Sequence, residues 1–481
     1  LLFIVGLKLD LRIIRSMGKI ALMTGLGQVI FTSLFGYFIG LALGFSSLHS
    51  FYIAVALTFS STIIIVKLLS DKKEIDSLHG QIAIGFLIVQ DIVVILVMIV
   101  LSAMRLDTDA SLASDLLRTL GSGMVLLAAT WLVMKWVIPG VSTFLAKSQE
   151  LLTLFAVAWA VSLASAGELM GFSGEVGAFL AGVSLASSKF KDVISSRLVS
   201  LRDFLLLFFF VHLGSNLDLS AIGDQLGAAF IFSVFVLVGN PIIVLIIMGL
   251  MGYRKRTSFL AGLTVAQISE FSLIFAGLGL AVGHITEETV GLITLVGLIT
   301  IGLSTYMILY SHKIFEFISP ALNIFERKVP YRENMNADEG HKHFDVVVIG
   351  IGRFGQRLLE MLDNHPDLKY LGVDFDPVVV NSLHAKGKDI LYGDIEDPEL
   401  LDQIPYKNSK IIISTVPDME HSKHLIRSLM REKYQGKIFV TATNKKDTEA
   451  LSKYPIEKVL MPQQMAATNF YNAYIKDGHW T

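Results

Sequence analysis

The feature that most constrains this chain is the recurrence of long apolar runs with almost no charge. They cover 18–45, 49–69, 80–104, 119–145, 151–170, 225–251, 257–282 and 287–317, with two shorter runs at 174–188 and 203–217. The hydrocarbon core of a bilayer takes about 20 apolar residues in a helix, and soluble cores do not repeat uncharged helices of that length. With an apolar stub at residues 1–7, the runs predict roughly eleven membrane segments. The stub has no basic region before it and so reads as the end of a spanning helix, not a signal peptide. The expectation is that at least one further helix precedes Leu1.

Loop charge sets the orientation. If the segments alternate, one set of loops carries Lys8, Arg12, Arg15, Lys19, Lys67, Lys72, Lys73, Lys147, Lys189, Lys191, Arg197, Arg202, Arg254, Lys255 and Arg256. The other set carries only Arg105 and Arg118. The first set is expected in the cytoplasm, and so is everything after residue 317. The net charge of -2 averages over this asymmetry and says little about partners. No basic run is long enough for nucleic acid. The chain has no cysteine, which excludes disulfides and thiolate metal sites, and no His/carboxylate cluster has metal-ligand spacing.

Ionisable groups inside spans are expensive and mark function by default. Asp91, after Gln90, sits near the middle of the 80–104 run, about 16 Å from its cytoplasmic end. Desolvation favours the protonated form of a lone carboxylate, and an adjacent cation favours the ionised form. Proton and cation then compete for one group, the minimum machinery for exchange. A single carboxylate makes one proton per monovalent cation the simplest ratio. The alternative is a structural Asp bonded to a neighbouring helix.

Two further polar stretches interrupt spans. In 49–69, Thr58, Ser60, Ser61 and Thr62 can satisfy backbone groups where a helix unwinds, and such unwound segments supply cation ligands in transporters. Packing through small residues is the plainer reading. In 257–282, Gln267, Ser269 and Glu270 lie mid-span. An inverted repeat would pair this stretch with 49–69, although Phe208–Asn216 is a rival partner. Two readings are open for Glu270, a second titrating group or a member of a structural ion pair. His212 reads as a packed polar residue, and Gly174–Ser188 as close helix packing.

Residues 318–342 carry Pro320, Pro330 and mixed charges and read as a linker, in part an interfacial helix. Beyond them strand-like runs alternate with helical ones: Asp345–Ile349, Tyr370–Val373, Ile390–Tyr392, Ile411–Ser414, Ile438–Thr441 and Lys458–Leu460. That alternation predicts a parallel doubly wound sheet. The first strand leads into Gly350, Gly352 and Gly355, a GxGxxG that opens a helix, and Asp374 ends the second strand about 20 residues on. Gly350 allows the turn, Gly352 lets backbone approach phosphates, and Gly355 lets helix and strand pack. Asp374 is expected to bond ribose hydroxyls and to disfavour a 2′-phosphate, so NAD or AMP fits better than NADP. One Rossmann unit with no second substrate domain favours a regulatory nucleotide over hydride transfer.

Together these residues resemble the second family of monovalent cation:proton antiporters, in its Kef-type branch of glutathione-gated potassium efflux systems. The similarity rests on Leu1–Leu11 and Phe59–Thr62. It continues through Gln90–Ile92, Gly177–Gly182, Phe209–Gly214 and Ser269–Phe271. In the soluble part it rests on Gly352, Arg353, Phe354, Gly355, Asp374–Pro377, Gly393 and Asp394. The resemblance implies an antiporter fold of inverted repeats with two crossed broken helices, an elevator-like movement and a homodimer in the inner membrane. Asp91 would carry cation and proton, with Gln90 at a position that varies between branches. Asp376 and Asp394 would join Asp374 around the nucleotide, and paired cytoplasmic domains would restrain transport. Kef-type proteins continue past the Rossmann domain, whereas this chain stops at Thr481, so control by glutathione or its adducts is in question.

Three functions compete at this point: a nucleotide-gated potassium or sodium antiporter, a ligand-gated potassium channel, and a membrane-anchored oxidoreductase. No TVGYG-like filter supports the second, and no substrate site beside a nicotinamide supports the third. The reading is therefore a transporter, not an enzyme, with no metal cofactor.

Overall fold

The structure is a computed structural model. It describes residues 2–8, 11–103, 121, 125, 128, 130–138, 140, 148–170, 174–186, 188, 190–215, 225–327, 343–365, 367–397 and 400–476. Most of the 119–145 run, Arg105, Arg118, Lys147, Lys189, Asn216 and linker residues 328–342 lie outside that set. So does the side chain of His212. The chain forms two compact units. One holds Leu1–Lys72, Gln81–Met248 and Ser258–Pro320; the other holds Lys73–Gly80, Gly249–Thr257 and Ala321–Thr481.

The first unit is helical. In chain order its helices are α1 (Leu2–Lys8), α2 (Leu11–Ala42), α3 (Ser47–Ala56), α4 (Thr62–Asp71) and α5 (Leu78–Ala103). Then follow α6 (Gln149–Leu169), α7 (Gly174–Ala186), α8 (Lys191–Ser215) and α9 (Leu226–Leu250). The last are α10 (Lys255–Leu263), α11 (Glu270–Ala281), α12 (Glu287–Leu309) and α13 (Ser311–Leu322). Five of the described helices are long and apolar enough to cross a membrane: Gly18–Ala42, Leu78–Met98, Glu150–Leu169, Leu226–Leu250 and Glu287–Leu309.

Two apolar runs are each divided mid-way by a non-helical stretch of several residues. The 49–69 run is α3 and α4, separated at 57–61; the 257–282 run is α10 and α11, separated at 264–269. The rival stretch ending α8 is helical without interruption to Ser215, so 49–69 and 257–282 are the matched pair. The breaks share a local grammar. A threonine turns back on the helix it leaves, Thr58 Oγ1 donating to Val55 O at 2.7 Å and Thr264 Oγ1 to Ala261 O at 2.6 Å. A serine then caps the helix that follows, Ser61 for α4 and Ser269 for α11. Hydroxyls at both ends supply partners for backbone groups that hydrocarbon could not satisfy.

Apolar side chains pack around the breaks. Tyr52, Phe59, Val94, Met98, Phe232, Phe271 and Phe275 belong to one buried cluster. Lipid is as apolar as these residues, so close packing rather than water exclusion holds the helices together. The Gly-rich α7 shows the principle. A Cβ on Gly182 would stand 2.0 Å from Phe3 O of α1, and one on Gly177 would stand 2.0 Å from Leu163 O of α6.

The second unit contains a six-stranded parallel sheet in the order 3-2-1-4-5-6. Its strands are β1 (Val346–Ile349), β2 (Tyr370–Asp374), β3 (Ile390–Tyr392), β4 (Ile411–Ser414), β5 (Lys437–Thr441) and β6 (Lys458–Leu460). The intervening helices include α14 (Arg353–Leu362), α15 (Pro377–His384) and, after β4, α16 (Met419–Arg431). The central strands are mostly apolar, β1 entirely so and buried along its length, as strands covered on both faces must be. The order reverses beside β1, where β4 pairs opposite β2, and ligands of such sheets sit at that switch point.

Candidate functional site

The transport-side residues converge on the two breaks. Thr62 Oγ1 donates to Asp91 Oδ2 at 3.0 Å, tying the first turn of α4 to the middle of α5. Asp91 is 5% exposed. The preceding residue, Ser61, donates from Oγ to Glu270 Oε2 at 2.9 Å, and Ser269 Oγ donates to the same oxygen at 3.1 Å. Each serine caps one half-helix, so the N-termini of α4 and α11 meet at one carboxylate. A helix N-terminus carries partial positive charge, and an anion there is stabilising. Glu270 thus accepts from both caps through one oxygen.

The remaining expected residues are placed as follows. The backbone N–H of Ser60 donates to Gln90 Oε1 at 3.3 Å. Gln267 accepts from Ser304 Oγ of α12 at 2.7 Å, and Thr300 Oγ1 accepts from Ile268 N at 3.3 Å. Each break is thus held by the span that follows it, α5 for the first and α12 for the second. Ser60 Oγ, Gln267 Nε2 and Glu270 Oε1 are buried and make no hydrogen bond. Buried polar atoms normally have partners; Ser60 Oγ and Glu270 Oε1 have lone pairs to offer a further donor, and Gln267 Nε2 has a hydrogen to offer an acceptor.

Three residues of this neighbourhood were not anticipated: Gln28 and Thr32 of α2, and Asn240 of α9. Gln90 Nε2 donates to Gln28 Oε1 at 2.6 Å, Gln28 Nε2 to Thr32 Oγ1 at 3.0 Å, and Thr32 Oγ1 to Asn240 Oδ1 at 2.6 Å. Asn240 Nδ2 donates to Val265 O at 3.3 Å. A polar residue amid an apolar run was the available signal; its partner, far away in sequence, was not.

In the second unit the glycine loop has the geometry of a phosphate cradle. Gly350 has φ +87°, open only to glycine without strain. A Cβ on Gly355 would meet Gly350 O at 2.1 Å, so this position is fixed by packing. One on Gly352 would meet nothing within 4 Å. The fold itself does not require glycine at 352, whereas a phosphate approaching the start of α14 does. Arg353 and Phe354 open that helix, Arg353 exposed and Phe354 half-buried.

Asp374 ends β2 next to the loop. Its Oδ2 accepts the backbone N–H of Ile351, and its Oδ1 accepts that of Asp376 at 2.8 Å. Burial pushes its carboxyl above the usual range, against the pull of these N–H groups. Each oxygen keeps a lone pair for a hydroxyl donor. Asp376 caps α15 by accepting Val378 N at 2.8 Å. Gly393 continues from β3 into Asp394, whose Oδ1 accepts Glu396 N at 3.0 Å and whose Oδ2 accepts Arg256 Nη1 at 2.6 Å. Arg256, a fourth unanticipated contributor, enters this unit with residues 249–257.

Two family models cover nearly the whole chain. Residues 1–309 match the sodium/hydrogen exchanger transmembrane family, and residues 346–462 match the TrkA-N domain. The chain belongs to the sodium/hydrogen exchanger family. Among its relatives is YbaL of Escherichia coli (strain K12), named a cation/proton antiporter. It is 27% identical over 441 residues, which cover 89% of this chain and 78% of the relative. MagA of Paramagnetospirillum magneticum, named an iron transporter, is 29% identical over 64% of this chain and 70% of its own length. KefB of Alkalimonas amylolytica, named a K(+) efflux antiporter, is 25% identical over 89% of this chain and 65% of its own. An exchanger domain followed by a TrkA-N domain bears out the Kef-type resemblance.

Proposed function

We propose that this protein exchanges a monovalent cation, K+ before Na+, for protons across the cell's inner membrane, and that an adenine nucleotide regulates the exchange from the cytoplasm. The observation that carries the reading is Asp91, buried in mid-span and held by Thr62 at the mouth of a broken helix. Proton and cation compete for this carboxylate, so each crossing of one draws the other back. Ser60, Ser61, Gln267, Ser269 and Glu270 line the route, with Glu270 joining the two half-helix ends through its bonds to Ser61 and Ser269.

The proposed division is 1–317 for exchange, 318–342 as linker and 343–481 for regulation. Gly350, Gly352, Arg353, Phe354 and Gly355 would hold the phosphates of NAD or AMP. Asp374 would take the ribose hydroxyls, and Asp376 and Asp394 would flank them. The nucleotide supplies a binding signal and no chemistry. A homodimer and a second metabolite such as glutathione belong to the same proposal.

The test is reconstitution in liposomes with an internal pH dye. Potassium, sodium or ferrous chloride is added outside, with wild type and Asp91→Asn compared, with and without AMP or NAD. Ion-driven proton movement that Asp91→Asn abolishes is the expected result. Proton movement that requires a protonophore for charge balance would replace exchange with a conductive pathway.

A further inference from the structure

The breaks at 57–61 and 264–269 are joined by an uninterrupted series of hydrogen bonds, and its direction is forced. One end is the N–H of Ser60, which can only donate; the other is the C=O of Val265, which can only accept. Val265 O requires the amide nitrogen of Asn240, which turns Asn240 Oδ1 toward Thr32. The Thr32 hydroxyl must then donate to Asn240 and accept from Gln28 Nε2. Gln28 Oε1 accepts from Gln90 Nε2, which leaves Gln90 Oε1 for Ser60. Every member points the same way, and bonds in such a series polarise and strengthen one another. All four side chains are fully buried.

We propose that Gln28, Thr32 and Asn240 are positioning residues of the exchange site, acting through Gln90 as one directed brace between the two broken helices. The inference rests on the exchange reading above. Gln90 is held at both ends of its carboxamide, which fixes the turn of α5 that carries Asp91. The brace also fixes Ser60 next to Ser61 and Thr62, the residues that hold Glu270 and Asp91. The Thr32 hydroxyl bonds Gln28 and Asn240 and neither carboxylate, so its loss reports on the brace. Outer partners of metal-binding residues typically tune affinity by about 10- to 100-fold, and the brace acts at that remove.

The experiment uses the full chain with Thr32→Val, which keeps shape and removes the hydroxyl, and Thr32→Ser, which restores it. Two readouts are taken: cation dependence of proton flux in liposomes, and hydrogen–deuterium exchange of the peptide covering 57–62 in detergent. Thr32→Val is expected to raise the cation KM about tenfold, to leave maximal flux nearly unchanged and to speed exchange at 57–62. Thr32→Ser is expected to return both to wild type. Unchanged KM with unchanged exchange at 57–62 overturns the brace, as does a loss of maximal flux with KM intact. Should Thr32→Val not fold, Thr32→Ala is read in the same way. A wild type without ion-driven flux would sink the exchange reading instead. Deuterium uptake at 57–62 alone would then decide the brace, sustained by faster uptake in Thr32→Val and overturned by no change.

Discussion

Asp91 and Glu270, from opposite halves of the helical unit, are held by adjacent hydroxyls: Thr62 donates to the first and Ser61 to the second. A one-residue step along the start of α4 therefore separates the proposed exchanging carboxylate from the one that joins the two helix ends. Hydrogen bonds to charged groups contribute about 1.5–3 kcal/mol. Thr62→Val is expected to cut ion-driven proton flux by tenfold or more, by roughly that energy, and Thr62→Ser to recover it. Flux in liposomes, normalised to reconstituted protein, checks both.

Ser61 and Ser269 share Glu270 Oε2, so their contributions should not add. Loss of an N-cap serine costs about 1 kcal/mol. Ser61→Ala and Ser269→Ala are each expected to lower thermal stability in detergent, and the double variant to fall short of the sum. Additive losses would mean that the two caps act independently of the shared oxygen.

The glycine loop separates packing from ligand approach. Gly355→Ala drives a Cβ into Gly350 O and is expected to destabilise the second unit by about 1–3 kcal/mol. Gly352→Ala meets open space and should leave the melting temperature in place while weakening NAD and AMP. Calorimetric binding beside thermal unfolding distinguishes the two.

Arg256 engages the Asp394 oxygen that faces away from its own turn. A nucleotide hydroxyl that takes the lone pair facing Arg256 competes with it, and by linkage anything that weakens the ion pair then strengthens the nucleotide. Arg256→Gln is expected to bind NAD or AMP tighter by about 5- to 50-fold, within the usual range of coupling. Unchanged affinity by titration calorimetry would show that Asp394 lies outside the nucleotide's reach.

His421 on α16 pairs with Glu396, and that hydrogen bond raises the imidazole's pKa above its ordinary 6.5. A raised histidine stabilises the fold fully below its unfolded pKa and loses the contribution as pH rises through the folded value. Resistance of wild type to thermal unfolding should therefore fall as pH climbs above about 6.5, and His421→Gln should flatten that slope. An identical slope in both would assign the pH dependence elsewhere.

Much of the second unit was legible because its rules are local. Alternation of strand and helix put Ile390–Tyr392, Ile411–Ser414 and Lys458–Leu460 where they are, and the other strands within a residue of their ends. The glycine spacing placed the turn at Gly350. In the helical unit a lone Asp91 in an apolar run stood out by its cost alone, and so did the hydroxyls of Ser60 to Thr62. The partner of 257–282 was not settled by sequence, because two stretches had similar polarity and only the backbone shows which one unwinds. Gln28, Thr32 and Asn240 were equally visible as polar residues. Their meaning lies in pairings across hundreds of positions, as from Thr32 to Asn240, which no local rule reports. Arg256 was read as a loop cation for orientation, since its carboxylate partner belongs to a distant strand end.

The two compact units are not two lengths of chain laid end to end. Residues 73–80 and 249–257 belong with the sheet-bearing unit. There Lys255 Nζ donates to Asn323 Oδ1 at 2.6 Å, Arg256 grips Asp394, and Gly249 lies so close to Phe325 O that a Cβ would stand 2.0 Å from it. Cutting the chain near residue 320 to free a minimal transporter would strip these loops of their covering and leave cationic stumps at the head of α10. The excised sheet, in turn, would present an Asp394 relieved of Arg256. If Asp394 takes part in the nucleotide site as proposed, affinities measured on such a fragment are expected to exceed those of the whole protein, and the excess would measure the missing grip.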